Sequence, residues 1–141
     1  MARFVSQLLV SLTFGLSIMS HADTSPAEIP GVTKVDAEGL LQLVQAQRRL
    51  VVIDARISSD RNQGYIEDSV SLPDVQTDCD SLKKIAADKS TPLLFYCNGT
   101  KCGRSGKAAI KAVGCGYTRL YWFRGGFEEW RAKGYPTVKD R

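Results

Sequence analysis

The segment LLFYCNGTKCGRS, residues 93–105, predicts a buried strand, a loop and a helix in immediate succession. Its opening run, Leu93–Tyr96, is unbroken and apolar, which is typical of a strand buried on both faces of a parallel sheet. A loop with two glycines follows from Cys97 onward, and a helix with a face of small residues begins near Ser105. This order places Cys97 at the carboxyl end of a strand, the edge of an α/β sheet where ligands bind.

The same alternation of strand and helix runs through the rest of the chain. Further strands are predicted from the apolar residues at 32–35, 50–53, 70–72 and 120–123. Apolar residues at helical spacing follow Asp36, a good N-cap residue, and two more helices are predicted around residues 82–86 and 127–130. Strands that alternate with helices predict an α/β fold, in which helices cover both faces of a parallel sheet.

Four segments are expected along the chain. Residues 1–22 resemble a secretory signal peptide, with Arg3 before an apolar stretch and Ser20-His21-Ala22 as a small-x-small cleavage site. The alternative is an uncleaved membrane anchor, although the apolar stretch is shorter than the roughly 20 residues that a helix needs to span a bilayer. Residues 23–31 are predicted to be a flexible lead-in, residues 32–137 the folded domain and residues 138–141 a tail.

Composition and charge exclude several classes of function. With 43% apolar and 24% charged residues among 141, the chain has the composition of one ordinary globular domain. The single histidine, His21, lies in the predicted signal peptide, so the mature chain would lack Ser-His-Asp and Cys-His pairs and imidazole zinc sites. Residues 23–100 carry a net charge of −4 and residues 101–141 a net charge of +7. This asymmetry favours an anionic ligand near the C-terminal half, or a solvated basic face.

The loop from Cys97 to Gly103 has the features of an anion cradle. Its successive backbone amides can converge on one point at a helix N-terminus, where the helix dipole adds positive potential. A thiol at that point is favoured as the reactive thiolate, and Lys101 and Arg104 add positive charge to hold an anionic donor. Gly99 and Gly103 permit the positive φ values that tight loops need. The alternative is a buried, inert cysteine at a strand end.

Five short motifs follow one another along the chain: VIDAR at 52–56, GYI at 64–66, LP at 72–73, FYC at 95–97 with RS at 104–105, and RGGFEEW at 124–130. In this order they resemble the landmarks of a rhodanese (thiosulfate sulfurtransferase) domain. The resemblance covers roughly residues 32–137. It implies an α/β fold with a five-stranded parallel sheet. It also implies a cysteine that accepts a sulfane sulfur as a persulfide and passes it to a thiophilic acceptor.

Residue by residue, the resemblance makes Cys97 the nucleophile and Arg104 the arginine that closes the loop. Asp54 and Arg56 match a charged pair that supports the loop. The residues expected to bind substrate are Asn98, Gly99, Thr100, Lys101, Cys102, Gly103 and Ser105. Those that match a structural turn and a core anchor are Gly125, Gly126 and Trp130.

The expected partners are a small anionic donor such as thiosulfate and an acceptor that is cyanide, a small thiol or a protein thiol. Neither a cofactor nor a metal is expected, since a thiolate can attack the sulfane sulfur of thiosulfate directly. We expect no nucleic acid as a partner and, after signal cleavage, no membrane. The predicted location is periplasmic or secreted.

Two departures from the family leave alternatives open. The loop between Cys97 and Arg104 is longer than in common rhodaneses and contains a second thiol, Cys102. A subset of secreted rhodanese-like proteins has a similar Cys-x-Gly-x-x-Cys loop. Cys97 is favoured over Cys102 as the sulfur carrier because the strand end lies at the centre of the cradle. The two thiols either form a disulfide that blocks the persulfide reaction until it is reduced, or remain free. Cys79 and Cys115 are expected to be incidental thiols.

Three classes of function therefore remain open. The first is a sulfurtransferase. The second is a phosphatase or arsenate reductase on a related cradle, although six residues rather than five separate Cys97 from Arg104 and no aspartic acid is obviously placed as the acid. The third is a non-catalytic rhodanese-like module that binds a partner, or a thiol–disulfide relay that uses Cys97 and Cys102.

Overall fold

A five-stranded parallel sheet forms the centre of the domain. The structure is a computed structural model that describes residues 25–140, so the predicted signal peptide lies outside the described residues. The strands of the sheet are β1 (Thr33–Val35), β2 (Val51–Asp54), β4 (Val70–Ser71), β5 (Leu93–Tyr96) and β6 (Leu120–Phe123). Their order is β1-β6-β5-β2-β4, with every neighbouring pair parallel. The predicted five-stranded α/β fold is thereby confirmed.

Helices connect the strands and cover the sheet. They are α1 (Ala37–Ala46), α2 (Ser58–Arg61), α3 (Cys79–Ile85), α4 (Arg104–Gly114) and α5 (Gly126–Ala132), with a short 3-10 turn at Asp74–Gln76. The Asp36 side chain caps α1 by accepting a hydrogen bond from the Gly39 amide at 2.8 Å, as its position in the sequence predicts. No helix within residues 25–140 is long and apolar enough to cross a membrane.

The strand β5 contributes to two separate cores because successive side chains of a strand point to opposite faces. Leu93 and Phe95 pack on the side of α3 and α4, whereas Leu94 and Tyr96 pack on the side of α1 and α5. On the first side, the alanines of α4 lie fully buried. Burial of this small-residue face sets α4 close to the sheet and so fixes the end of the loop that precedes it.

Two features differ from the sequence predictions or add to them. Cys79, at the start of α3, forms a disulfide with Cys115, which follows α4, so the prediction that these are incidental thiols is wrong. Their pairing was not apparent because 36 positions separate them and only the packing of the two helices brings them together. The strands β3 (Tyr65–Ile66) and β7 (Thr137–Val138) form a separate antiparallel pair that the sequence did not predict.

Candidate active site

The candidate site is the loop of residues 97–103, which joins β5 to α4. Because β5 lies between β6 and β2, the loop emerges in the middle of the sheet, at its carboxyl edge. The carbonyl of Cys97 accepts a hydrogen bond from the Phe127 amide at 2.8 Å, and the carbonyl of Asn98 accepts one from the Glu128 amide at 2.7 Å. The start of the loop is therefore held both by the central strand and by the first turn of α5.

Gly126 allows α5 to approach the loop this closely. Its φ of +60° lies in the left-handed region, and a Cβ at this position would lie 2.4 Å from the carbonyl oxygen of Cys97. Glycine adopts this conformation at no steric cost, whereas any other residue would be strained and would collide with the loop. The structural turn expected at this position is thus also a contact with the candidate nucleophile.

Cys97 and Cys102 form a disulfide across the loop, with their Cα atoms 6.2 Å apart. Of the two states that the sequence left open, the structure contains the bonded one. Within the same loop, the Cys102 amide donates a hydrogen bond to the Gly99 carbonyl at 3.0 Å. Cys97 is 1% exposed, whereas Cys102 is partly exposed. Solvent and external reactants therefore reach Cys102 more readily than Cys97.

Most of the other amides of the loop have no protein acceptor among the described residues. Within residues 25–140, the amides of residues 98–101 and 103 donate no hydrogen bond to a protein acceptor. Backbone N–H groups that lack protein acceptors at the N-terminus of a helix form the type of site that binds anions. The 11-residue helix α4 begins at Arg104, directly after these amides. The loop therefore meets one requirement of an anion site, a set of backbone donors without protein acceptors.

A buried ion pair supports the loop. Arg56 donates to both carboxylate oxygens of Asp54, at 2.9 and 2.8 Å, and the two side chains are 1% and 0% exposed. The guanidinium of Arg56 also lies over the Phe127 ring, 4.3 Å from its centre, and makes a long 3.5 Å hydrogen bond to the side-chain oxygen of Asn98. Arg56 thus contacts both the loop and the helix that holds the loop.

The ion pair is a fixed charged scaffold rather than a source of protons. Burial acts to raise the pKa of Asp54, but hydrogen bonds and positive charge from Arg56 outweigh it and hold this pKa below its ordinary value. Tyr96 donates to the same carboxylate at 2.8 Å, and burial together with the Asp54 charge raises the pKa of Tyr96 to about 12. At neutral pH, Asp54 is therefore ionised and Tyr96 is neutral.

Arg104 and Ser105 are engaged with other parts of the domain. A nitrogen of the Arg104 guanidinium lies 2.7 Å from a carboxylate oxygen of Asp74, so part of its charge is balanced there. The hydroxyl of Ser105 is 2% exposed and accepts a hydrogen bond from the Trp122 indole at 2.9 Å. The Ser105 hydroxyl is thus buried and already engaged in the core, which does not favour the substrate-binding role predicted for it.

A basic cleft lies beside Cys102. Its volume is about 320 Å³, and it is lined by Asp74, Val75, Lys101, Cys102, Gly103, Arg104 and Lys107. Three of these residues are cationic and one is anionic, so the cleft favours an anion. It brings together Lys101, Cys102, Gly103 and Arg104 of the predicted site.

The loop and the segment beside it make further contacts that the sequence did not reveal. The Ser25 hydroxyl donates to the Thr100 carbonyl at 2.7 Å, and the Arg124 side chain donates to the Pro26 carbonyl at 2.8 Å. The Asn98 amide group donates to Asp60 at 2.8 Å. The described part of the predicted lead-in therefore packs against the site. No local motif marks Ser25 or Asp60, because only the tertiary fold brings them to the loop.

The chain is similar to known proteins along most of its length. A family model for the rhodanese-like domain matches residues 36–133. A sulfurtransferase of Allochromatium vinosum is 27% identical over 107 residues, which are 76% of this chain and 95% of that protein. A thiosulfate sulfurtransferase of Pseudomonas savastanoi pv. phaseolicola is 37% identical over 86 residues, which are 61% of this chain and 76% of that protein.

A solved structure shows the same fold. The polysulfide-sulfur transferase homodimer from Wolinella succinogenes matches with a TM-score of 0.64 and 17% identity, over 78% of this chain and 80% of that chain. At this level of identity, the likeness concerns the fold alone.

Proposed function

Since the chain belongs to the rhodanese-like family, we propose that it is a sulfurtransferase that carries a sulfane sulfur as a persulfide on Cys97. Similarity to proteins named sulfurtransferases supports sulfur transfer as the general activity. The observation that carries the choice of Cys97 is its position. Cys97 directly follows the central strand and opens a loop whose amides at residues 98–101 and 103 find no protein acceptor within residues 25–140.

The proposed first half-reaction begins with the loop disulfide reduced. The Cys97 thiolate attacks the outer sulfur of thiosulfate, the bond between the two sulfur atoms of thiosulfate breaks, and sulfite leaves with the electron pair. The product is an anionic persulfide on Cys97. No general base is required, because the nucleophile is already a thiolate and sulfite is a good leaving group. The loop amides stabilise the charge of the persulfide by hydrogen bonding.

The basic cleft is the proposed entry for the donor. Lys101 and Arg104 line it beside Cys102, and the partial neutralisation of Arg104 by Asp74 leaves Lys101 as the more available charge. Thiosulfate carries two negative charges and fits a small, exposed and cationic site. A persulfide donor carried by another protein would present the same anionic sulfur at the same cleft.

We also propose that the protein is exported to an oxidising compartment, the periplasm or the outside of the cell. The two disulfides, Cys79–Cys115 and Cys97–Cys102, support this location, because disulfides persist in oxidising compartments and are rare in the cytosol. The signal-peptide pattern of residues 1–22 supports it independently.

Thiocyanate formation from thiosulfate and cyanide tests the proposed activity. The wild type is reduced, freed of reductant under anaerobic conditions and assayed beside Cys97→Ser, Cys102→Ser and a control with Cys79→Ser and Cys115→Ser. With cyanide in excess, we expect initial thiocyanate formation in the wild type, in Cys102→Ser and in the control, and none in Cys97→Ser. Turnover that disappears in Cys102→Ser and persists in Cys97→Ser would move the sulfur carrier to Cys102. Absence of turnover and of sulfur uptake in every reduced form would contradict the proposal.

A thiol–disulfide relay is the second candidate, and the loop disulfide itself favours it. In that case the protein would exchange its loop disulfide with a reduced test protein and would take up no sulfur from thiosulfate. Intact mass after incubation with thiosulfate distinguishes the two functions, since a persulfide adds the mass of one sulfur atom.

A further inference from the structure

We infer that Cys102 is a resolving thiol, which attacks the Cys97 persulfide, releases its outer sulfur as sulfide and leaves the loop disulfide. The inference rests on the proposed function, because it needs a persulfide on Cys97. It assigns the domain a second product besides sulfite. It also makes Cys102, which the family resemblance places only among the substrate-binding residues, a reacting group.

The geometry of the loop supports this step. The sulfur atoms of Cys97 and Cys102 are joined while the hydrogen bonds that anchor the loop are present. These bonds are Phe127 amide to Cys97 carbonyl, Glu128 amide to Asn98 carbonyl, and Cys102 amide to Gly99 carbonyl. The Cys102 sulfur therefore reaches the Cys97 sulfur with the loop in its anchored conformation. That atom is the inner sulfur of a Cys97 persulfide.

The step balances without an external oxidant. The Cys102 thiolate attacks the inner sulfur of the persulfide, a bond forms between the two cysteine sulfurs, and the bond to the outer sulfur breaks. The outer sulfur leaves with the electron pair as sulfide and takes up the proton that the Cys102 thiol lost. The outer sulfur gains two electrons, and the two cysteine thiols lose two in forming the disulfide.

The difference in exposure gives each sulfur its place in the cycle. Cys97 is 1% exposed in the bonded loop, and Cys102 already lies within the same loop, so the attack of Cys102 needs no reactant to enter from solvent. In the resulting disulfide, the partly exposed Cys102 lines the basic cleft and is the accessible target. A reductant that attacks Cys102 expels Cys97 as thiolate, the form needed to accept the next sulfur.

The complete cycle defines the class of reaction. One thiosulfate and two thiols give one sulfite, one hydrogen sulfide and one disulfide. The two thiols come from an external dithiol reductant, which must be supplied on the side of the membrane where the protein works. The domain would thus be a dithiol-dependent thiosulfate reductase, placed between a source of reducing dithiols and a step that consumes sulfide.

A single turnover without external acceptor tests the inference. The wild type, Cys102→Ser, and the control with Cys79→Ser and Cys115→Ser are reduced, freed of reductant and mixed anaerobically with one equivalent of thiosulfate. Sulfite and sulfide are measured, and intact and peptide masses locate bound sulfur and disulfides. We expect the wild type and the control to release one sulfite and one sulfide per chain and to contain the Cys97–Cys102 bond. Cys102→Ser should release sulfite only and remain heavier by one sulfur atom.

The outcomes separate failure of this inference from failure of the proposed function. Sulfite release with a stable persulfide and no sulfide from the wild type would overturn the resolving role and leave the sulfurtransferase intact. Sulfide release accompanied by disulfides between two chains, rather than within the loop, would overturn it as well. No sulfite from any reduced form would overturn both. Thiocyanate formation by Cys102→Ser verifies that this variant is folded and competent.

Discussion

The two disulfides of the domain join very different kinds of structure. Cys79–Cys115 spans 36 positions and ties the start of α3 to the end of α4, two helices that pack on the same face of the sheet. Cys97–Cys102 spans five positions and closes an irregular loop at the carboxyl edge of the sheet. The first bond restrains the chain, whereas the second occupies the sulfur atom that is proposed to react.

Chain entropy gives the two bonds different values for stability. The entropy that the unfolded chain loses corresponds to about 4 kcal/mol for the loop closed by Cys79–Cys115. For the loop closed by Cys97–Cys102 it corresponds to about 2 kcal/mol. The disulfide with the larger effect on folding is thus Cys79–Cys115, and both of its cysteines lie outside the candidate loop. This difference predicts that stability and activity can be changed separately.

Redox state should have the largest effect on activity. With the loop disulfide intact, Cys97 has no thiolate, so thiocyanate formation should be lower by about 10³-fold or more than in the reduced protein, because the covalent intermediate cannot form. Cys102→Ser should be active without reduction, and the control with Cys79→Ser and Cys115→Ser should still require it. Intact mass shows whether the loop disulfide is present. Disulfide-bonded protein that formed thiocyanate as fast as the reduced protein would contradict this prediction.

Removal of the buried carboxylate tests whether the ion pair, rather than a disulfide, stabilises the region around the loop. Asp54→Asn leaves the Arg56 charge buried without its partner, which should lower the free energy of unfolding by about 3–5 kcal/mol at pH 7. Since the pKa of Asp54 in the folded protein lies below the ordinary 3.8, its contribution is present above that pH and is lost as the pH falls through the lower folded value.

Urea unfolding at neutral and acidic pH measures this effect. The gap between wild type and Asp54→Asn should therefore narrow as the medium becomes more acidic than the ordinary pKa of Asp54. A gap that widened as the pH fell toward 3.8 would mean that the folded protein holds Asp54 protonated, which would contradict the ion pair.

Loss of the helix-to-helix disulfide should lower stability and leave the chemistry unchanged. The variant with Cys79→Ser and Cys115→Ser should lose about 2–4 kcal/mol of unfolding free energy under oxidising conditions. Its thiocyanate activity after reduction should equal that of the reduced wild type. Cys102→Ser, which removes the shorter loop bond, should lose less stability. Urea unfolding measures both losses. A larger loss of stability in Cys102→Ser than in the variant with Cys79→Ser and Cys115→Ser would contradict the view that Cys79–Cys115 is the stabilising bond.

The sequence predicted those parts of the domain that depend on local pattern. Four consecutive apolar residues before Cys97 predicted a doubly buried strand, and the glycine-containing loop after it predicted a strand–loop–helix unit. Both are present in the structure. By contrast, the Cys79–Cys115 bond, the turn of Arg104 toward Asp74 and the contact of Ser25 with Thr100 each join residues that are distant in sequence. No local pattern encodes such contacts, because they depend on how whole elements pack.

A collision between α5 and the loop should have a moderate effect on both stability and activity. In Gly126→Ala, the left-handed backbone costs about 1–3 kcal/mol, and the new Cβ also meets the carbonyl oxygen of Cys97. Gly116→Ala is the matched control, since its φ is +90° but no atom lies within 4 Å of the added Cβ. Both variants should lose stability, but only Gly126→Ala should also lower thiocyanate formation. Equal activity in the two variants would mean that α5 does not position the loop.

Removal of one exposed charge should have the smallest effect. Lys101→Gln takes a cation from the cleft beside Cys102, and an exposed ion contact of about 0.2–1 kcal/mol corresponds to a rise in the KM for thiosulfate of up to about fivefold. The kcat should not change, because Lys101 attracts the donor rather than stabilising the reacting sulfur. The rise should disappear near 1 M salt, where charges are screened beyond about 3 Å. Lys139→Gln, outside the cleft, is the control. A fall in kcat at saturating thiosulfate would instead place Lys101 at the transition state and make the exposed side of the loop part of the chemistry.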